Sequence, residues 1–217
     1  MADQRLPLAI ALQRLDRTLA RVQVRQVTER EDQLQREWAR ELTPILDDLY
    51  WEPIYSLGDA PEEDDDLLAW LLLLLLGSAA RRRLVGNLDS YLGWSADTGG
   101  AMALELMGVG GGFHLTNAEM LAVVAARRAA LTGTDTGLSL IDTTASQLQR
   151  AIQQARLDEE SVPTALARLT PTWVAQRVGT ISISEMTWAV AIAQGWTYQR
   201  NNVAEQMFVT REDSRVC

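Results

Sequence analysis

Residues 64–83 read DDDLLAWLLLLLLGSAARRR, and this stretch decides the fold class. From Leu67 to Ala80 no residue carries a charge, while three Asp precede the run and three Arg follow it. That order suits a helix, whose macrodipole favours carboxylates at its start and cations at its end. A helix crossing a bilayer needs roughly 20 apolar residues. This run is shorter, so it reads as a core or subunit-interface helix and no stable membrane span is expected. Being apolar on all sides, it is expected to be covered on all sides.

Working towards the N-terminus, residues 6–50 read as helix. Leu8, Leu12, Leu15, Leu19 and Val22 recur at four and three, which makes one apolar stripe. A second run, Leu34, Trp38, Leu42, Ile45 and Leu49, continues the spacing. Two readings stay open: an amphipathic helix lying on its own core, or an arm whose stripe packs on a partner subunit. Pro44 is expected to kink or divide the segment. Trp51 to Asp66, with Pro53 and Pro61, reads as an acidic loop. The first 18 residues lack the uninterrupted apolar core of a signal peptide. Residues 1–84 are therefore taken as an N-terminal helical arm with the apolar helix.

Towards the C-terminus, residues 85–112 are rich in Gly and small residues and are expected to be a connection between domains. No Gly-Lys-Ser/Thr follows, so a phosphate-cradling loop is disfavoured. Residues 113–217 then read as a small helical domain. Thr116-Asn117-Ala118-Glu119 is a capping-box pattern with a stop at Gly133, which predicts a helix over Asn117–Leu131. Leu138, Ile141, Ala145, Leu148, Ile152 and Ala155 predict a second helix. Ser161 and Pro163 start a third, through Leu169, and Thr170-Pro171 opens a fourth that runs to Gln194 and stops at Gly195. Strand competes with helix over Thr180–Ile183, where helix propensity is poor. Met207–Thr210 reads as a short strand. The expected fold is mainly α: a long N-terminal helical arm, then a small helical domain with a short C-terminal β element.

Composition narrows the chemistry. All twenty basic residues are Arg, which excludes a P-loop of the usual kind and Schiff-base catalysis. One His (His114) and one Cys (Cys217) exclude a Cys/His zinc centre within one chain. A net charge of −9 makes a poor generic DNA binder, so no specific nucleic acid is expected. No cofactor is expected, and no enzymatic activity. The unusual residue is Glu185, which sits on the apolar seam Val174, Val178, Ile181, Trp188, Ile192 of the fourth helix. An ionised carboxylate there is expensive unless paired. It is expected to be buried and bonded to an Arg, with Arg200, Arg211 and Arg215 as the candidates, or to backbone N–H groups of the C-terminal segment. The other readings are an edge Glu reaching water and a catalytic acid or base.

The stretch RVGTISISEMTWAVAIAQG, followed by FVTREDSRVC, resembles the C-terminal part of the Mu F-like head-morphogenesis domain of phages. The elements that carry the resemblance are Ser184-Glu185, Gly195, Phe208, then Asp213, Arg215, Val216 and Cys217. Phe208 stands where Trp is usual, and Ile183 where Arg is usual. FHLTNAEMLAVVAARRAAL, upstream, also looks like this domain, so the resemblance covers about residues 113–217. Relatives often continue past the Cys with a second Cys or His, so the resemblance leaves two expectations: a metal site that is incomplete here, or a chain that has been shortened after Cys217. The resemblance implies a minor head protein that acts in capsid assembly near the portal and resides in the virion. Its implied partners are the portal protein or other head proteins, with self-association; the Leu8 to Val22 stripe is the candidate contact. The alternatives are a membrane-active or DNA-ejection virion protein and a hydrolase using Glu185 with Asp213.

Overall fold

The computed structural model describes residues 29–61, 63–109, 113, 118–134, 139–201 and 203. Helix α1 covers residues 29–51. A 3-10 segment, Glu52–Asp59, leads to α2 (Asp64–Gly77), α3 (Ala79–Leu106), α4 (Ala118–Thr132), α5 (Leu140–Leu157) and α6 (Val162–Arg200). The architecture is mainly α, with no strand among the described residues. The expected C-terminal β element lies outside them.

The apolar run is two helices rather than one, because the chain breaks at Ser78. That residue is extended (φ −65°, ψ 152°) and caps both neighbours. Its Oγ donates to the Leu75 carbonyl at 2.7 Å and accepts from Arg81 N–H at 3.0 Å. Glu52 Oε1 accepts the Ala80 N–H at 3.0 Å, which satisfies a second orphan donor at the start of α3. Arg81 and Arg82 reach back to the carbonyls of Leu76 and Gly77, the open end of α2.

Only one ridge of α2 is fully covered. Leu67, Leu71 and Leu75, spaced by four, are wholly buried, and α5 is the main helix packed against α2. On the opposite side Leu73 is 71% exposed. Within the single chain α2 thus buries one face and leaves the other exposed, so cover on every side would need a partner. No described helix is long and apolar enough to cross a membrane.

The expected Gly-rich connection is corrected as well. Residues 85–106 are helix, part of α3. Its buried positions include Ser95, Ala96, Gly99, Gly100 and Ala103, a stripe of small residues at helical spacing. Small side chains let two helix backbones approach closely, and α3 with α6 forms the most extensive contact among helices α2 to α6. A Cβ on Gly99 would lie 2.4 Å from the carbonyl oxygen of Val190. Gly86, on the exposed side of the same helix, has nothing within 4 Å of such a Cβ. Gly86→Ala is therefore expected to stabilise the protein by about 0.5–1 kcal/mol, through helix propensity and a less flexible unfolded chain. Urea unfolding checks this; a lower midpoint would contradict it.

The described part of the N-terminal segment lies on the chain's own core. Trp38, Leu42, Leu46, Leu49 and Tyr50 of α1 are wholly buried. Trp38 stacks on Tyr91 of α3 at 5.4 Å between centroids and donates its Nε1–H to Asn87 Oδ1 at 2.8 Å. The stripe Leu8, Leu12, Leu15, Leu19 and Val22 lies outside the described residues. One hydrophobic cluster joins residues of α1 through α6. The boundaries expected at 84 and 113 thus separate no cores among the described residues.

Two prolines fail to break their helices. Pro44 sits inside α1, and Pro171 inside α6, which replaces the expected third and fourth helices with one of 39 residues. Each Pro leaves the carbonyl four residues earlier without its helical donor. Those carbonyls belong to the exposed residues Arg40 and Ala167, where water can serve instead. The cap falls at Ser161, whose Oγ accepts from Thr164 N–H at 3.3 Å, and Gly195 does not stop the helix. α4 and α5 form where expected, α5 with a reciprocal capping box between Ser139 and Asp142.

Candidate functional site

Glu185 is held by α6 at the step after Val174, Val178 and Ile181, all of them buried. Its side chain is 5% exposed. Arg127 reaches it from α4 with both prongs: Nε–H to Oε2 and Nη2–H to Oε1, each at 2.7 Å. This fork-to-fork geometry is the strongest form of carboxylate recognition. The Arg127 side chain is 38% exposed, and its guanidinium lies 5.5 Å from the centroid of the Trp188 ring. Donating to the Glu185 carboxylate holds Arg127 above the ordinary arginine range, against the opposing effect of burial. Ser184 is exposed, and its Oγ lies 3.5 Å from Glu185 Oε1, at the limit of a hydrogen bond.

The expected burial and Arg pairing of Glu185 are thus present, with a different partner. Arg200, the described candidate, lies over the Trp196 ring at 4.4 Å instead. Arg211 and Arg215 lie outside the described residues. The seam itself also departs from expectation beyond Glu185. It continues through Met186, Ala189, Val190 and Ala193, while Trp188 is half-buried and Ile192 is 38% exposed. This side of α6 is the one that backs onto α3, where the Val190 backbone lies against Gly99.

Of the remaining signature residues, Gly195 lies within α6 beside a shallow groove of about 380 Å³ lined by Met120, Val123, Ile192 and Trp196. Nothing stands within 4 Å of a Cβ built there. Phe208, Asp213, Arg215 and Cys217 lie outside the described residues, and with them any pairing of Asp213 with Glu185. Among the described residues no three His, Cys, Asp or Glu side chains converge on a metal position.

A second polar cluster escaped the sequence reading. Arg177 of α6 bonds to Thr144 Oγ1 and to the Leu140 carbonyl of α5, and lies over the Tyr50 ring of α1 at 5.7 Å. Tyr50 donates its hydroxyl to Gln147 Oε1 at 2.5 Å. Burial pushes the Tyr50 phenol up and the Arg177 guanidinium down. The one local signal was a cation directly beside Val178 on the apolar seam. Both clusters tie helices distant in sequence, and in the Glu185 pair both carboxylate oxygens are already bonded. The two bonds from Arg127, one to each oxygen, brace α4 against α6 at this point. Comparison of the chain with family models, curated proteins and solved structures gives no match.

Proposed function

We propose that this chain is a structural minor head protein of a phage, acting in head assembly near the portal and carried in the virion. The observation that supports the reading is the Arg127–Glu185 pair. It joins the two stretches on which the resemblance rests, the α4 segment and the Ser184-Glu185 segment, into one brace. On this reading Glu185 is a structural anchor and the chain catalyses nothing. Its partners are the portal protein, other head proteins and further copies of itself.

The test is the composition of assembled particles. Mass spectrometry of purified heads is expected to find the chain, and its deletion to leave heads that fail to form or mature. A chain recovered only outside particles, with normal heads in its absence, would sink the proposal.

A further inference from the structure

The outer face of α2 has an ordered chemistry. Asp66, Ala69, Leu73 and Gly77 recur at three and four, and all are exposed. Half-buried Trp70 and Leu76 flank them. At the N-terminal end Glu63 and Asp66 present carboxylates to solvent. At the C-terminal end stands the exposed Arg82, whose Nη1 donates to the Gly77 carbonyl at 2.8 Å. Along this face the order is therefore acid, apolar knob, cation, the cation supplied by the first turn of α3 reaching back to the end of α2. Turned end for end, it is its own complement.

We propose that α2 docks antiparallel on α2 of a second copy, about a two-fold axis beside Leu73. A two-fold contact uses the same patch on both subunits, so the patch must be self-complementary. Leu73 stands between two small residues, Ala69 and Gly77, four positions away on either side. In the antiparallel pair the two Leu73 side chains meet beside the axis, and the small residues Ala69 and Gly77 on either side leave them room. Asp66 lies about 10 Å along the axis from Leu73, and the Gly77 carbonyl that holds Arg82 about 6 Å the other way. The remaining offset is within the span of an Arg side chain, so the carboxylate of each copy meets the guanidinium of the other. A parallel pair would set Asp66 against Asp66 and Arg82 against Arg82.

One short helix per copy buries less than the ~800 Å² per partner of a standard interface. The contact is accordingly weak in isolation and suited to copies held close by a larger assembly. It rests on the assembly reading for its role, and on the geometry of α2 for its existence.

Sedimentation equilibrium of the purified full chain, from about 10 μM to about 1 mM to cover weak association, is the experiment. The wild type is expected to dimerise. Leu73→Glu is expected to be monomeric with unchanged thermal unfolding, since Leu73 is 71% exposed. Asp66→Arg and Arg82→Glu are each expected to be monomeric, and their equimolar mixture to dimerise, because only the mixed pair restores opposite charges at both ends. The doubly swapped chain is expected to dimerise with itself. A monomeric wild type, or a Leu73→Glu dimer, overturns the proposal. A mixture that stays monomeric overturns the antiparallel register. Loss of the dimer in Leu12→Glu or Leu15→Glu would make the N-terminal stripe the occupant. Leu73-dependent flotation with phosphatidylglycerol vesicles, in place of dimerisation, would make the occupant lipid. Failure of the chain to enter heads while the dimer persists would remove the head-protein reading and leave this pairing standing.

Discussion

Gly99→Ala is expected to lower the unfolding free energy by about 2 kcal/mol, as the net of two opposed effects. In favour, Ala in a helix interior gains about 1 kcal/mol over Gly. Against it stands a collision. The new Cβ falls 2.4 Å from the Val190 carbonyl oxygen and 2.7 Å from its Cα. These are backbone atoms of α6, not the end of a flexible side chain, so relief requires α3 and α6 to move apart. Overpacking a tight core typically costs about 1–3 kcal/mol and sometimes more. Here the displaced contact is the most extensive among α2 to α6, so the upper end applies. Gly100→Ala meets the Phe113 ring instead, also at 2.4 Å, and a side chain yields more readily than a helix. Urea unfolding should therefore rank Gly99→Ala below Gly100→Ala, and both below Gly86→Ala. A Gly99→Ala chain as stable as the wild type would refute the close approach of α3 and α6.

The Arg127–Glu185 pair is expected to be asymmetric when broken. Arg127→Ala strands a carboxylate whose side chain is 5% exposed, whereas Glu185→Ala strands a guanidinium that is already 38% exposed. Removing one partner of a buried pair costs about 3–5 kcal/mol. With its Arg partly in water, this pair belongs at the low end, so about 3 kcal/mol is expected for Arg127→Ala. The Glu185→Ala guanidinium can turn into solvent, so about 1–2 kcal/mol is expected. Glu185→Gln keeps the shape and part of the hydrogen bonding and should cost less. The double change Arg127→Ala with Glu185→Ala should be less destabilising than the sum of the two singles, as for any contacting pair. Equal, negligible losses from both single changes would show that the pair contributes nothing.

What the sequence disclosed and what it hid divide along a physical line. Local signals were readable: the bounds of α4, the periodicity of α5, and the need of a carboxylate on an apolar seam for a cation. The identity of that cation was not, because Arg127 and Glu185 are 58 residues apart and meet only through tertiary packing. The glycines of α3 read as a connection because propensity disfavours them in helices. In the folded chain Gly99 is required by the proximity of α6, so tertiary contact overrides propensity. The small-residue repeat Ser95, Gly99, Ala103 was the available clue. Pro44 and Pro171 misled in the same way, since a lost hydrogen bond on a wet face is replaced by water. For the site, the sequence marked Ser184, Glu185 and Gly195 but missed the Arg177–Thr144–Tyr50–Gln147 cluster, whose members come from three separate helices.

The pairing of α3 with α6 also sets a timetable. Two helices, α4 and α5, intervene between them in the chain, and α2 rests mainly on α5. A chain growing on the ribosome therefore displays the Leu67, Leu71, Leu75 ridge and the Gly99 stripe before their covers exist. Roughly 90 residues separate the end of α3 from the part of α6 it meets, an interval of about 5–20 s at ~5–20 residues per second of synthesis. For that time the Gly99 stripe of the nascent chain lacks its cover, and for the shorter interval until α5 is made the Leu67, Leu71, Leu75 ridge lacks its own, so both surfaces stand open to any chaperone that meets the emerging chain.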